Sequence, residues 1–127
     1  MMRFSYTGIR VRNMDESVRF YTEILGMKLL GRGKVATTKG ECAALQSPGS
    51  QQVLELNYYE EGSLFAEPYT VGEDLDHLGF KVDDVKAAFE ALRGKGVQVA
   101  LEPFFYKTGV PLAFVRDPNG IWIELYQ

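Results

Sequence analysis

The sequence predicts an α+β protein in which one β-α-β-β-β pattern is written twice. Three observations carry this. Two helix-length stretches, 13–27 and 83–97, each begin with a capping residue and close on glycine. A short strand of nearly the same wording precedes each, TGIRV (Thr7–Val11) and LGFKV (Leu78–Val82). Gly8 matches Gly79, Ile9 matches Phe80, Arg10 matches Lys81 and Val11 matches Val82, all at an offset of 71 residues. Three strand-like runs then follow each helix. Self-similarity at a fixed period constrains architecture more than any single element does.

In the first helix, NMDESVRFYTEILGM, Asn13 can cap, Asp15 and Glu16 favour the first turn, and Gly26 stops it. Met14, Val18, Tyr21, Ile24 and Leu25 recur at helical spacing and predict its apolar face. In the second, DDVKAAFEALRGKGV, Asp83 or Asp84 caps, Val85, Ala88, Phe89 and Leu92 form the stripe, and Gly94 and Gly96 end it. The strand runs are MKLLGRG, CAALQ and VLELNYY after the first helix, and VQVALEP, PLAFVRD and IWIELYQ after the second. GRGK (Gly31–Lys34) lacks the frame of a phosphate-binding loop and reads as a turn between strands. The copies span about 1–59 and 76–127, joined by a loop-like stretch over 60–75, in one domain over 1–127.

A chain of 127 residues suits one domain, or two very small modules that share a core. Its net charge is −3 with both signs interspersed, and without a basic stripe nucleic acid is not an expected partner. No apolar run approaches the roughly 18 residues of a membrane span. The start, MMRFSYTG, lacks the apolar core of a secretion signal. The one cysteine, Cys42, cannot form an internal disulfide, so a reducing cytoplasm is the expected location. With no basic neighbour in sequence, Cys42 reads as a buried structural thiol.

Side chains alternate along a strand, so faces can be assigned. The offset of 71 places Tyr6 in the slot of His77, the only histidine. Tyr6, Gly8 and Arg10 share one face of the first strand; His77, Gly79 and Lys81 share the matching face of its twin. A second recurrence lies in the last strand of each copy. Glu55 stands between Leu54 and Leu56, and Glu124 between Ile123 and Leu125. One such glutamate alone reads as a solvent-facing residue of a half-exposed sheet, and a lone histidine reads as a satisfied core residue. Two carboxylates and a histidine at equivalent points of a repeat favour convergence on a divalent metal such as Zn, Ni, Co, Mn or Fe.

The stretches GIRVRNMDESVRFYTEILGM, LELN, DHLGFKVDDV and RDPNGIWIEL, with FYxxxLGM and DPNGxxIEL in this order and separation, resemble the vicinal oxygen chelate superfamily. Within it they are most similar to glyoxalase I-like proteins of the glyoxalase/bleomycin resistance/dioxygenase group. The resemblance covers essentially the whole chain. It implies paired β-α-β-β-β modules whose curved mixed sheets surround a metal-site cavity. It also implies a homodimer in which each site takes ligands from one module of each chain. The four ligand slots fall on Tyr6, Glu55, His77 and Glu124. Glyoxalase I carries His or Gln in the first slot, so Tyr6 departs from the pattern. It is a phenolate ligand, or a hydrogen-bonding neighbour of a centre made by Glu55, His77 and Glu124, or the mark of a site that has lost its metal.

The activity implied is a metal-dependent, lactoylglutathione lyase-like isomerisation through an enediolate of an α-hydroxycarbonyl, hemithioacetal-type substrate, with a thiol as co-substrate. Glu124 is then the expected base, with Glu55 sharing that role or remaining a ligand. Arg10 matches an arginine that the family uses for a substrate carboxylate. Asn57 and Tyr59 follow Glu55 toward the substrate, although NYY departs from the glyoxalase I pattern and puts glutathione specificity in doubt. Lys107 and Thr108, expected in a loop before the penultimate strand, offer contacts to an anion. Phe104, Phe105, Tyr106, Trp122 and Tyr126 line either a cavity or the core, with Trp122 a substrate-binding candidate. Ring-cleaving dioxygenase chemistry is disfavoured, since it uses two histidines and a carboxylate. Two alternatives stay open. One is an acyl-CoA epimerase; the other is a non-catalytic module that sequesters small molecules or antibiotics, and it draws on Tyr6 and the aromatics. A metal-free cavity, however, gains nothing from two buried carboxylates.

Overall fold

The computed structural model describes residues 2–70, 75–107 and 109–127, with the side chain of Lys107 left aside. The chain divides into two compact units, Met1–Thr70 and Val71–Gln127. Each holds a four-stranded mixed sheet and one α-helix, so the fold is α+β.

In the first unit the order is β1 (Thr7–Arg10), α1 (Met14–Arg19), a π-helical turn (Phe20–Ile24), β2 (Lys28–Val35), β3 (Gly40–Gln46) and β4 (Val53–Tyr59). The sheet order is β1-β4-β3-β2, with β1 parallel to β4 and the other pairs antiparallel. The second unit repeats it: β5 (Leu78–Lys81), α2 (Val85–Gly94), β6 (Val99–Lys107), β7 (Val110–Arg116) and β8 (Trp122–Tyr126), in the order β5-β8-β7-β6. The repeat extends to the register. Gly8 faces Glu55 across β1 and β4, and Gly79 faces Glu124 across β5 and β8. Just past each first strand the pattern holds: Val11 donates its N–H to Asn57 O and Val82 donates to Tyr126 O, both at 2.8 Å.

Helix starts follow the capping chemistry. Asn13 accepts from the Glu16 N–H at 3.0 Å, and Asp84, not Asp83, accepts from Ala87 N–H at 2.9 Å. These side-chain oxygens satisfy N–H groups that have no partner inside a helix. Gly26 (φ 78°) and Gly96 (φ 80°) then turn each chain out in the left-handed conformation. The apolar face of α2 packs as its spacing predicts, with Val85, Phe89 and Leu92 buried and Ala88 half-buried.

The first helix differs from its predicted face. Met14 and Tyr21 are buried, but Val18, Ile24 and Leu25 are only half-buried, and Phe20 and Ser17 take their place inside. Past Arg19 a π turn sets in, with Leu25 donating to Phe20 O, five residues back. Its wider turn rotates the stripe, so a 3.6-residue period misplaces Ile24 and Leu25.

GRGK is also not a turn. Gly31–Lys34 lies inside β2, paired with Ala44, Ala43, Cys42 and Glu41. The reversal comes later, at Ala36–Thr38, where Lys39 adopts φ 48°. Arg32 holds the strand in place by ion pairs with Glu41 on β3 and Asp15 on α1. Glu41 first, and Asp15 second, raise the Arg32 pKa above its ordinary value.

The core of the first unit gathers Ile9, Val11, Met14, Phe20, Tyr21, Ala43, Leu45, Leu54 and Leu56; that of the second gathers Val85, Phe89, Ala113, Val115, Ile123 and Leu125. These residues alternate with the opposite sheet face, which is therefore left to carry polar chemistry. DPNG closes the β7–β8 turn. The buried Asp117 carboxylate accepts from Asn119 N–H (2.8 Å), Ile121 N–H (2.8 Å) and Asn119 Nδ2 (2.9 Å). Among the described residues no helix is long and apolar enough to cross a membrane.

Candidate active site

Directly paired strand residues share a face, so the ladders define two rows of side chains. In the first unit one row is Gly8, Glu55 and Ala44, and the next is Arg10, Asn57 and Cys42. Gly8 and Ala44 leave Glu55 flanked by small neighbours. Tyr6, Arg10, Glu55, Asn57 and Tyr59 line an open cleft of about 560 Å³ on this face. Its polar groups are of both signs, one guanidinium and one carboxylate, with Tyr6 half exposed at 50%. The Arg10 guanidinium lies 5.9 Å from the Tyr59 ring centre and donates through Nη1 to Glu67 O at 2.6 Å.

In the second unit the equivalent row is Gly79, Glu124 and Phe114. A large ring thus stands where the first unit has Ala44. His77 packs edge-on against Phe114 at 5.7 Å, and Phe114 against Trp122 at 5.4 Å. Arg116 lies over Trp122 at 5.1 Å. The imidazole Nε2 is 2.7 Å from Glu124 Oε2, and Nδ1 is 2.6 Å from Asp76 Oδ2. A Cβ at Gly79 would make only ordinary contact with the Tyr126 ring, at 3.5 Å.

The sequence-selected residues therefore gather in two sets, Tyr6, Arg10, Glu55, Asn57 and Tyr59 in the first unit and His77, Trp122 and Glu124 in the second. Among the described residues no three His, Cys, Asp or Glu side chains cluster as metal ligands within either unit. The donor chemistry of His77 and Glu124, an imidazole nitrogen beside a carboxylate oxygen, nevertheless suits a divalent cation. Glu55 adds a carboxylate of the same kind.

Other expectations change. Lys107 is the last residue of β6 and not a loop residue, because the strand runs on to pair with Val110. Its side chain and Thr108 lie outside the described residues. Phe104, Phe105 and Tyr106 are not core residues but exposed on β6, at the sheet edge. Trp122 and Tyr126 are half-buried on the Glu124 face. Cys42 is half-exposed and not buried, since it lies on the Asn57 face of β3 and not on the core face. Burial still pushes its thiol pKa up, and the charge of Glu55 adds to the rise.

Two residues were missed. Asp76, the partner of His77 Nδ1, was signalled only by its adjacency in the dipeptide DH. Tyr69, 5.4 Å from the Arg10 guanidinium, lies in the stretch read as a joining loop, where no local pattern marks it.

Comparison with known proteins matches residues 3–125 to the Glyoxalase/Bleomycin resistance protein/Dioxygenase superfamily, and the chain belongs to that family. The curated proteins it resembles include several named as lactoylglutathione lyase or probable lactoylglutathione lyase. It is 34% identical over 128 residues to a probable lactoylglutathione lyase of Vibrio cholerae, covering 98% of this chain and 90% of that protein. It is 36% identical to a probable chloroplastic lactoylglutathione lyase of Arabidopsis thaliana over 98% of this chain, but spans only 35% of that protein. Among solved structures, glyoxalase I from Zea mays superimposes with a TM-score of 0.82 at 32% identity, covering 98% of this chain and 44% of the maize chain.

Proposed function

We propose that the chain is a metal-dependent, glyoxalase I-like lyase that isomerises a hemithioacetal-type α-hydroxycarbonyl through an enediolate. The observation that carries this reading is the contact of His77 Nε2 with Glu124 Oε2 at 2.7 Å, in a chain 34% identical to a probable lactoylglutathione lyase. His77 and Glu124 of the second unit and Glu55 of the first are the residues that would hold the cation, with Tyr6 serving as a hydrogen-bonding phenol. The cation, when bound, supplies positive charge that favours negative charge on neighbouring substrate oxygens.

The chain's own residues do the rest. Glu124 takes the proton from the carbon that bears the thiol sulfur and returns it to the adjacent carbon. The hydroxyl proton of the first carbon passes to the neighbouring oxygen, so the thioester product is an isomer of the substrate and Glu124 ends as it began. His77 stays in position because Asp76 engages its other ring nitrogen. Arg10 meets a carboxylate of the thiol portion, with Asn57 and Tyr59 lining the same cleft and Trp122 forming an apolar wall in the second unit. The active form is a homodimer, following the family's arrangement.

Elemental analysis of untagged protein purified without chelator, beside His77→Ala, tests the reading together with hemithioacetal turnover. Near-stoichiometric divalent metal that falls in the variant, and turnover lost on chelation and regained with metal, is the expected result. Protein that carries no metal and takes up none of Ni, Co, Zn or Mn overturns it. The second reading, a ligand-sequestering module, rests on the ring cluster of His77, Phe114 and Trp122. It requires ligand binding that chelation leaves unchanged.

A further inference from the structure

We propose that Tyr69, on the segment that follows β4, is a positioning residue which, with Tyr59, clamps the Arg10 guanidinium as a carboxylate-binding group of the first unit's cleft. The inference rests on the substrate role of Arg10 given above and assigns a specificity function to a stretch that otherwise reads as a mere connection.

The segment is fastened at several points. Glu60 N–H donates to Lys39 O at 2.8 Å and Ser63 Oγ donates to Thr38 O at 2.5 Å, both on the β2–β3 reversal. The Phe65 ring stacks on Tyr59 at 5.6 Å with the planes 23° apart. Near its end the Tyr69 hydroxyl donates to Arg10 O at 3.3 Å, and the carbonyl of Glu67 accepts from Arg10 Nη1 at 2.6 Å.

The guanidinium itself lies 5.4 Å from the Tyr69 ring centre and 5.9 Å from that of Tyr59, and the Tyr69 ring also takes the Arg12 guanidinium at 4.6 Å. Among the described residues it pairs with no carboxylate. Ring faces and one peptide carbonyl attract a cation without neutralising it and leave most of its N–H fork unused. A planar fork so held is matched to a carboxylate, which accepts two parallel hydrogen bonds. Lys81, its counterpart in the repeat, is exposed and has no aromatic clamp among the described residues. Among the described residues the clamp belongs to the first unit.

The test compares S-methylglutathione with its diethyl ester, which lacks both carboxylates, by calorimetry on the full chain as purified. Wild type, Tyr69→Leu and Tyr69→Phe are used. Wild type is expected to bind the free acid about tenfold more tightly than the ester, Tyr69→Leu to lose most of that preference, and Tyr69→Phe to keep it because the ring face remains. Both variants should melt within a few degrees of wild type. With a turned-over hemithioacetal, Tyr69→Leu should raise KM and leave kcat within about twofold. A preference retained in Tyr69→Leu overturns the clamp. A wild type that binds neither probe, or both equally, overturns the carboxylate subsite and the clamp with it. A Tyr69-dependent preference without any turnover supports the clamp and refutes the proposed lyase activity instead.

Discussion

His77 Nε2 meets Glu124 Oε2 at 2.7 Å across the β5–β8 edge, while Asp76 engages Nδ1 from behind at 2.6 Å. This arrangement separates two roles, proton transfer at Glu124 and orientation of His77 by Asp76. Glu124→Gln should lower kcat by about 10²–10⁴-fold and leave the melting temperature nearly unchanged, since a neutral amide cannot take a proton. Asp76→Ala should weaken metal affinity by roughly tenfold or more, read by competition with a chromophoric chelator. A Glu124→Gln protein with wild-type turnover would remove this residue as the base.

Among the described residues Asp117 is the buried carboxylate of the second unit, accepting from Asn119 and Ile121 within the β7–β8 turn. Asp117→Ala should destabilise the chain by about 2–4 kcal/mol in urea unfolding, because it leaves buried donors unpaired. A loss below about 0.5 kcal/mol would mean that the turn is held by other contacts.

Glycines on β2 and β3 should behave oppositely. A Cβ at Gly40 would lie 2.3 Å from the Tyr58 carbonyl oxygen, so Gly40→Ala should cost about 1–3 kcal/mol. At Gly31 and Gly33 a Cβ meets nothing within 4 Å, and both are strand residues. Gly33→Ala should therefore be neutral or stabilising by up to about 1 kcal/mol, read from the same unfolding midpoints. A marked loss at Gly33 would favour a turn there after all.

The Cys42 thiol has its pKa raised, first by burial and then by Glu55. Above the ordinary thiol value of about 8.5 the unfolded chain releases a proton that the folded chain keeps. The unfolded state then binds fewer protons, so stability falls as pH rises through that window and is unaffected below it. Urea unfolding at increasing alkaline pH should show wild type losing more stability than Cys42→Ser. Alkylation of Cys42 should also lag behind that of the urea-unfolded chain at pH 8.5. Equal slopes for the two proteins would contradict the raised value.

Much of this protein was determined by sequence alone. Its period of 71 residues, the alternation around Glu55 and Glu124, and the caps at Asn13 and Asp84 are local or repeated signals. Each acts through backbone geometry or nearest neighbours, and such signals need no tertiary information. Other features were decided only by the tertiary structure. The π turn at Phe20–Ile24 rotates a helix face, GRGK becomes strand because β3 offers it partners and Arg32 finds Asp15 and Glu41, and Tyr69 reaches back 59 residues to the Arg10 carbonyl. For GRGK and Tyr69 the deciding interactions join residues well separated in the chain, and the free energy that selects the conformation is available only once packing has brought them together.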